Sequence, residues 1–160
     1  MDIKFRDMRA IDLPSLEKMI NRIVEFNQED RNIAMELLTI NASQPEQRDY
    51  LVILAIDAQD NPLGYACYGA TPLTVGTFDL YWIAVDPDWV GKGIGSQLIR
   101  VVEDLVKKAN GRLLVIETSS SPAYAKTRQF YLKNNYEMAQ VIQDFYCEGE
   151  DRVTYLKRTR

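Results

Sequence analysis

Residues 85–99 read VDPDWVGKGIGSQLI, with glycines alternating at Gly91, Gly93 and Gly95. Before them lies TFDLYWIAVDP (77–87), the most apolar strand-like run of the chain. After them Ile94, Leu98, Ile99, Val102, Leu105, Val106 and Ala109 fall on one face of a helix, which Asn110-Gly111 ends. A second apolar strand, RLLVIET (112–118), follows. A strand, a glycine-rich turn, a helix and a strand make one βαβ crossover, which places two strands in parallel. The first N–H groups of such a helix have no partners within it, and its dipole adds partial positive charge. Glycines let an anion approach that backbone closely and allow positive φ. A plain tight turn needs one or two glycines; three opening a strongly amphipathic helix point to phosphate binding.

The rest of the chain predicts hairpins around this unit. IKFRDM (3–8) reads as an edge strand, Asp12 as an N-cap, and Pro14 as part of the first turn of a helix carrying Leu13, Leu16, Met19, Ile20, Ile23 and Val24. A second helix is predicted from about Glu29 to Ile40, with Ile33, Leu37, Leu38 and Ile40 inward, and then a polar loop over 41–49. YLVILAID (50–57) and LGYACYGAT (63–71) form a hairpin across AQDNP (58–62). Ser121 caps a helix that Pro122 starts; Tyr124, Thr127, Tyr131 and Phe130 face inward, and Asn134-Asn135 closes it. YEMAQVIQDFYC (136–147) and DRVTYLKR (151–158) read as a last hairpin across EGE. The expected fold class is α/β with a mixed sheet, in the order strand, two helices, three strands, helix, strand, helix, two strands, as one domain over residues 1–160.

Composition narrows the function. The chain has no histidine, which removes Ser-His and Cys-His nucleophiles and the commonest metal ligand, so no metal is expected. Cys67 and Cys147 lie far apart, without a CxxC spacing, and read as reduced thiols of a cytoplasmic protein. A net charge of -4 argues against a nucleic-acid partner. No apolar run reaches the ~18–20 residues of a membrane span, and MDIKFRDMRA lacks the apolar core of a signal peptide.

Three phosphate-binding patterns compete at the glycines. A P-loop needs Lys-Ser/Thr after its last glycine, and Ser96-Gln97 follows Gly95. A dinucleotide fingerprint needs GxGxxG, but the third position is Ser96 counted from Gly91 and Leu98 counted from Gly93. Glu117 could stand for the ribose acid there, as in a nicotinamide-dependent oxidoreductase, yet the hairpins ahead of the motif do not suit that sheet. The third pattern is a family likeness. YWIAVDPDWVGKGIGSQLI resembles motif A of the GNAT superfamily of N-acetyltransferases, a strand, an acidic-proline turn, (Gln/Arg)-x-x-Gly-x-(Gly/Ala) and a helix, with Gly93 and Gly95 as its Gly-x-Gly pair. QFYLKNNY (129–136) resembles the family's FY-x-x-x-GF/GY motif, and the order of elements agrees across nearly the whole chain. Val90 stands where Gln or Arg is usual, and Asn135 where Gly is usual; Asn tolerates the left-handed conformation nearly as well.

The resemblance implies acetyl-CoA as co-substrate. Its pyrophosphate would rest on the N–H groups of Gly91, Lys92, Gly93, Ile94, Gly95 and Ser96, with Val90 keeping a backbone contact. Its pantetheine arm would run beside Ile83, Ala84 and Val85, between two splayed strands. The backbone near Ile83 would support the thioester carbonyl as charge develops. An attacking amine must lose a proton, and a carboxylate can take it. Asp79, alone in an apolar run and aligned with the glutamate base of histone-acetylating members, is the first candidate; Glu117 is the second. Tyr131, from the FY motif, would protonate the departing thiolate. Tyr124 would pack on cofactor or substrate, and Lys126 and Arg128 would meet the 3′-phosphate.

The acceptor cleft of this family is built from the first two helices and the last hairpin. Here those parts offer Glu25, Asn27, Glu29 and Asp30, then Asp144, Tyr146, Glu148, Glu150 and Asp151, which suit a cationic amine or a peptide N-terminus. The expected function is an acetyl-CoA-dependent N-acetyltransferase acting on a primary amine. A non-catalytic acetyl-CoA sensor or interaction domain is the alternative, and a homodimer through the last hairpin is open.

Overall fold

The computed structural model describes residues 2–160. Strand β1 spans Lys4–Asp7, helix α1 Leu13–Arg22, α2 Gln28–Ser43, and strands β2, β3 and β4 Leu51–Ile56, Pro62–Ala70 and Thr77–Val85. Helix α3 (Ile94–Lys108) leads to β5 (Leu113–Ser119), and α4 (Ala125–Lys133) to the closing hairpin β6 (Glu137–Cys147) and β7 (Glu150–Arg158). All seven strands form one sheet in the order β1-β2-β3-β4-β5-β7-β6. Among the described residues only β4 and β5 pair in parallel; every other pair is antiparallel. This is the mixed α/β sheet that the sequence predicts.

Alternation along the strands gives each face of the sheet its own core. On one face Ile53, Ala55, Phe78, Leu80, Leu114 and Ile116 pack with Ile94, Leu98, Ile99, Val102 and Val106 of α3, and with Tyr131 of α4. On the other, Val52, Leu54, Tyr65, Cys67 and Ala84 pack with Leu16, Met19 and Ile20 of α1 and Ala34 and Leu38 of α2. Both cysteines are free; Cys67 is buried, and burial pushes its thiol up to about 12.

Several local expectations are corrected. Helix α1 stops at Arg22, so Val24 is solvent-exposed instead of continuing the apolar stripe. Helix α2 runs on to Ser43 and buries Ala34 and Leu38, while Ile33 faces solvent. Strand β4 ends at Val85, because Asp86-Pro87 opens a turn. Asp12 is not a side-chain cap of α1. Its carboxylate instead accepts from Arg6 Nη1 at 2.8 Å, Arg6 Nη2 at 2.9 Å and the Arg9 N–H at 2.7 Å. Asn135 takes φ of 65°, the left-handed turn expected of it, and Asn110 closes α3 in the same way at 60°.

The site is positioned by an incomplete strand pair. Strand β4 meets β5 only at Thr77, Phe78 and Asp79, opposite Leu113, Leu114 and Val115. Beyond Asp79 the two strands part. On its other edge β4 stays paired with β3, but the register slips between Tyr68↔Leu80 and Cys67↔Trp82, leaving Tyr81 as a bulge. A bulge raises local twist, which turns the C-terminal half of β4 away from β5.

Asp12 anchors β1 to the start of α1, and its titration is measurable. Burial pushes this carboxylate up, but hydrogen bonds from Arg6, the Arg9 N–H and the Arg9 side chain outweigh it and hold it at about 2. The folded value lies below the ~3.9 of an unfolded Asp, so the contribution is complete above about pH 4 and is lost as pH falls toward 2. Asp12→Asn is expected to cost about 2 kcal/mol at pH 7 in urea unfolding, and to flatten the fall in stability between pH 4 and 2.

Candidate functional site

The turn after β4 is built by its own side chains. Asp86 Oδ1 accepts the Asp88 N–H at 2.9 Å, and the Asp86 carbonyl accepts the Trp89 N–H at 2.8 Å. Gly91 and Gly93 both take φ of 81°, a left-handed conformation that side chains with a Cβ rarely adopt. Gly93 is the N-cap of α3, and the first bond of the helix runs from the Gln97 N–H to the Gly93 carbonyl at 3.1 Å. The N–H groups of Ile94, Gly95 and Ser96 therefore stand ahead of the ladder. A Cβ placed on Gly91 or Gly93 would meet nothing within 4 Å, so the space above this backbone is open.

Gly95 differs from its neighbours. Its Cβ would lie 3.1 Å from the Phe130 ring and 3.6 Å from Val85 Cγ2. Its bareness lets α4 pack against the first turn of α3. Gly91 and Gly93 set the backbone shape, and Gly95 sets the fit between helices.

These residues open onto a cleft of about 430 Å³. Ile83, Ala84 and Val85 line it from the unpaired end of β4; Gly91, Gly93, Ile94, Gly95 and Ser96 from the turn and α3; Lys126, Thr127 and Phe130 from α4. Val90 lines it too, and Glu25 enters from the segment after α1. Lys92 is folded back, its ammonium 4.1 Å from the centre of the Trp89 ring. Trp89 also borders the cleft, and the sequence reading assigned it no role; a Trp beside a glycine turn is the signal that was available. Lys126 is in place for an anion, whereas Arg128 is not. The Arg128 guanidinium donates to the carbonyls of Ser119 at 2.7 Å and Ser121 at 2.8 Å, tying α4 to the end of β5.

The candidate acid–base groups lie around the split strands rather than on the cleft lining. Asp79 is the last β4 residue paired with β5, and Thr71 Oγ1 donates to its Oδ2 at 2.7 Å. Glu117 lies two residues past the end of that pairing, half exposed, with Arg152 Nη1 3.4 Å away. Phe78, Leu80, Leu114 and Ile116 pack on the α3 side, so alternation puts Asp79 and Glu117 together on the α1/α2 side. Tyr131 is on the opposite face, buried against Tyr155 at 5.6 Å and Tyr136 at 6.1 Å between ring centres. Burial, reinforced by Tyr155, raises its phenol above the ordinary tyrosine value, so the proton stays on at neutral pH.

A second group of polar residues gathers beyond Glu117. Tyr124 does not line the cleft; its hydroxyl donates to Asp30 Oδ2 at 3.0 Å, joining α4 to the start of α2. Asp30 also receives the Asn27 N–H at 2.9 Å in a capping box. Tyr146 lies near enough to Glu117, Arg152, Glu150 and Asp30 to feel their charges, and burial followed by Glu117 raises its phenol. Asp30, Glu117, Glu150, Tyr124 and Tyr146 thus form an acidic, aromatic corner at the α2, β5 and β6–β7 ends.

Comparison with known proteins agrees with this geometry. The family model described as Acetyltransferase (GNAT) domain matches residues 47–138. A Desulfovibrio desulfuricans protein assigned to the GNAT family of acetyltransferases is 34% identical, with a TM-score of 0.94 over 99% of this chain and 100% of that one. The ribosomal-protein-S18-alanine N-acetyltransferase of Escherichia coli shares the fold at 19% identity, with a TM-score of 0.75 over 99% of this chain and 94% of that one. The PaiA N-acetyltransferase of Thermoplasma acidophilum, solved with coenzyme A, does so at 18% identity, with a TM-score of 0.73 over 99% of each chain. Among curated proteins none matches the chain significantly. Among the described residues no helix is long and apolar enough to cross a membrane, and no cluster of His, Cys, Asp and Glu has the form of a metal site. With the family model covering more than half of its length and a relative aligned end to end, this chain belongs to the GNAT family of acetyltransferases.

Proposed function

We propose that this protein transfers an acetyl group from acetyl-CoA to a primary amine of a small molecule or peptide. The observation that carries the reading is the pairing of a left-handed glycine turn at the N-terminus of α3 with the unpaired half of β4, both opening on one cleft. The N–H groups of Ile94, Gly95 and Ser96, with Lys126 nearby, suit the pyrophosphate. The free edge of β4 from Ile83 to Val85 suits the amide-bearing pantetheine arm, which can hydrogen-bond to it as a strand would.

In this reading the amine approaches from the α1/α2 side, where the acidic corner attracts a cation. Glu117 takes its proton, directly or through water, because its carboxylate is half exposed and faces that side. Asp79, already holding the Thr71 hydroxyl, is the weaker candidate. The neutral amine attacks the thioester carbonyl, whose oxygen is supported by backbone N–H near Ile83. Collapse of the tetrahedral intermediate expels the thiolate, which takes the proton of Tyr131 from the other face; the proton that the nitrogen loses as the amide forms returns through water to restore the phenol. An ordinary phenol, with a pKa of about 10, is matched in basicity to a thiolate; burial raises Tyr131 above that value and keeps it neutral, with its proton on.

Calorimetric titration with CoA and acetyl-CoA is expected to show micromolar binding. Gly93→Val should weaken it more than tenfold, because a β-branched residue resists φ of 81°. Heat from NADH but from neither CoA ligand would refute the reading. Tyr131→Phe should lower kcat by about 10²-fold while leaving CoA affinity within threefold, and unchanged turnover would remove Tyr131 as the acid. Glu117→Gln should reduce kcat/KM by more than tenfold and by more than Asp79→Asn does; the opposite order would make Asp79 the base.

A further inference from the structure

The glycine turn that suits a diphosphate is preceded by two carboxylates, Asp86 and Asp88, whose charge would repel it. One cation answers both. Arg22, the last residue of α1, donates from Nη1 to Asp86 Oδ2 at 3.0 Å and Oδ1 at 3.2 Å, and from Nη2 to Asp88 Oδ2 at 2.7 Å. The Asp86 side chain is 15% exposed and also holds the Asp88 N–H, while its carbonyl holds the Trp89 N–H. Arg22 therefore grips the side chain around which the turn from β4 to Gly91 folds. It does not line the cleft and would touch no part of a ligand there.

We propose that Arg22 is a positioning residue for the acyl donor: it fixes the Asp86–Trp89 turn that aims the glycine N–H groups, and it neutralises the two carboxylates beside the diphosphate. This rests on the acyl-CoA reading above. Its position at the C-terminus of α1 adds a favourable interaction with that helix's dipole, and it joins a helix of the acceptor side to the turn of the donor side. Ion pairs as exposed as Arg22 with Asp88 contribute little to global stability, so loss of the fork should register in binding more than in unfolding.

The test is CoA titration of the full chain at low and moderate salt. Arg22→Gln is expected to weaken CoA about tenfold at low salt, with Tm lowered by less than 3 °C. Arg22→Lys, which keeps the charge without the fork, should fall between. The double variant Arg22→Gln, Asp88→Asn should recover binding to within threefold of wild type, because one repelling charge is gone and Asp88 is exposed enough to change without harm. CoA affinity within twofold of wild type in Arg22→Gln would overturn the inference. So would a loss that Asp88→Asn does not recover and that comes with a Tm lowered by more than 3 °C, since that marks a merely structural role; an unrecovered loss at unchanged Tm supports the turn-fixing role alone. Wild-type protein that binds no CoA would instead overturn the acyl-CoA reading itself.

Discussion

The separation of β4 from β5 after three residue pairs governs the rest of the molecule. Backbone N–H and C=O groups in a sheet are ordinarily paired, and leaving a strand half unpaired forfeits several hydrogen bonds. The chain tolerates this from Leu80 to Val85 because β3 still holds the other edge and because side chains on both faces stay anchored: Leu80 in the α3 core, Ala84 in the α1/α2 core. The gap joins the two faces of the sheet. Alternation puts Glu117 and Asp79 on one side of the sheet and Tyr131 on the other, which under the proposed function gives the base and the acid separate faces.

The opening of α3 shows how three similar residues divide their work. At Gly91 and Gly93 the demand is on φ, and the space beyond is open. At Gly95 the demand is on volume, set by Phe130. The FY pair therefore packs in two directions, with Phe130 seating α4 on α3 and Tyr131 entering the core beside Tyr155. Moving α4 would disturb the turn and the buried tyrosine together.

What could be read in the sequence was local. Hydrophobic periodicity found the seven strands and four α-helices, though not the short 3-10 turns at Ala10–Asp12 and Pro87–Trp89, and Asn135 announced its left-handed turn because few residues other than Gly and Asn accept that conformation. The glycine turn was legible for the same reason. The partners that meet only in three dimensions were not. Nothing in the spacing of Arg128 says that two backbone carbonyls of the preceding turn will claim it, and nothing near Arg22 points to Asp86, sixty-four residues later. Asp12 has a helix-capping position in sequence, yet Arg6 and the Arg9 N–H compete for its carboxylate and win, because a two-pronged charged pair is stronger than one N–H contact. The divergence of β4 and β5 is likewise a matter of register and twist, which periodicity does not encode.

The charges that remain sort by location more than by number. Toward the α3 end of the cleft stand helix N–H groups and Lys126, with the carboxylates of Asp86 and Asp88 held by Arg22. Toward the α2 and β7 end stand Asp30, Glu117 and Glu150, with Arg152 the cation paired to Glu117. Under the proposed function, an anionic donor and a cationic acceptor are each drawn to their own end by these fields, which fall off within a Debye length of about 8 Å in physiological salt. That distance is shorter than the unpaired run of β4, which at about 3.3 Å per residue from Leu80 to Val85 extends beyond it. The two ends can thus attract opposite charges with little mutual cancellation, and the net charge of -4 says nothing about either.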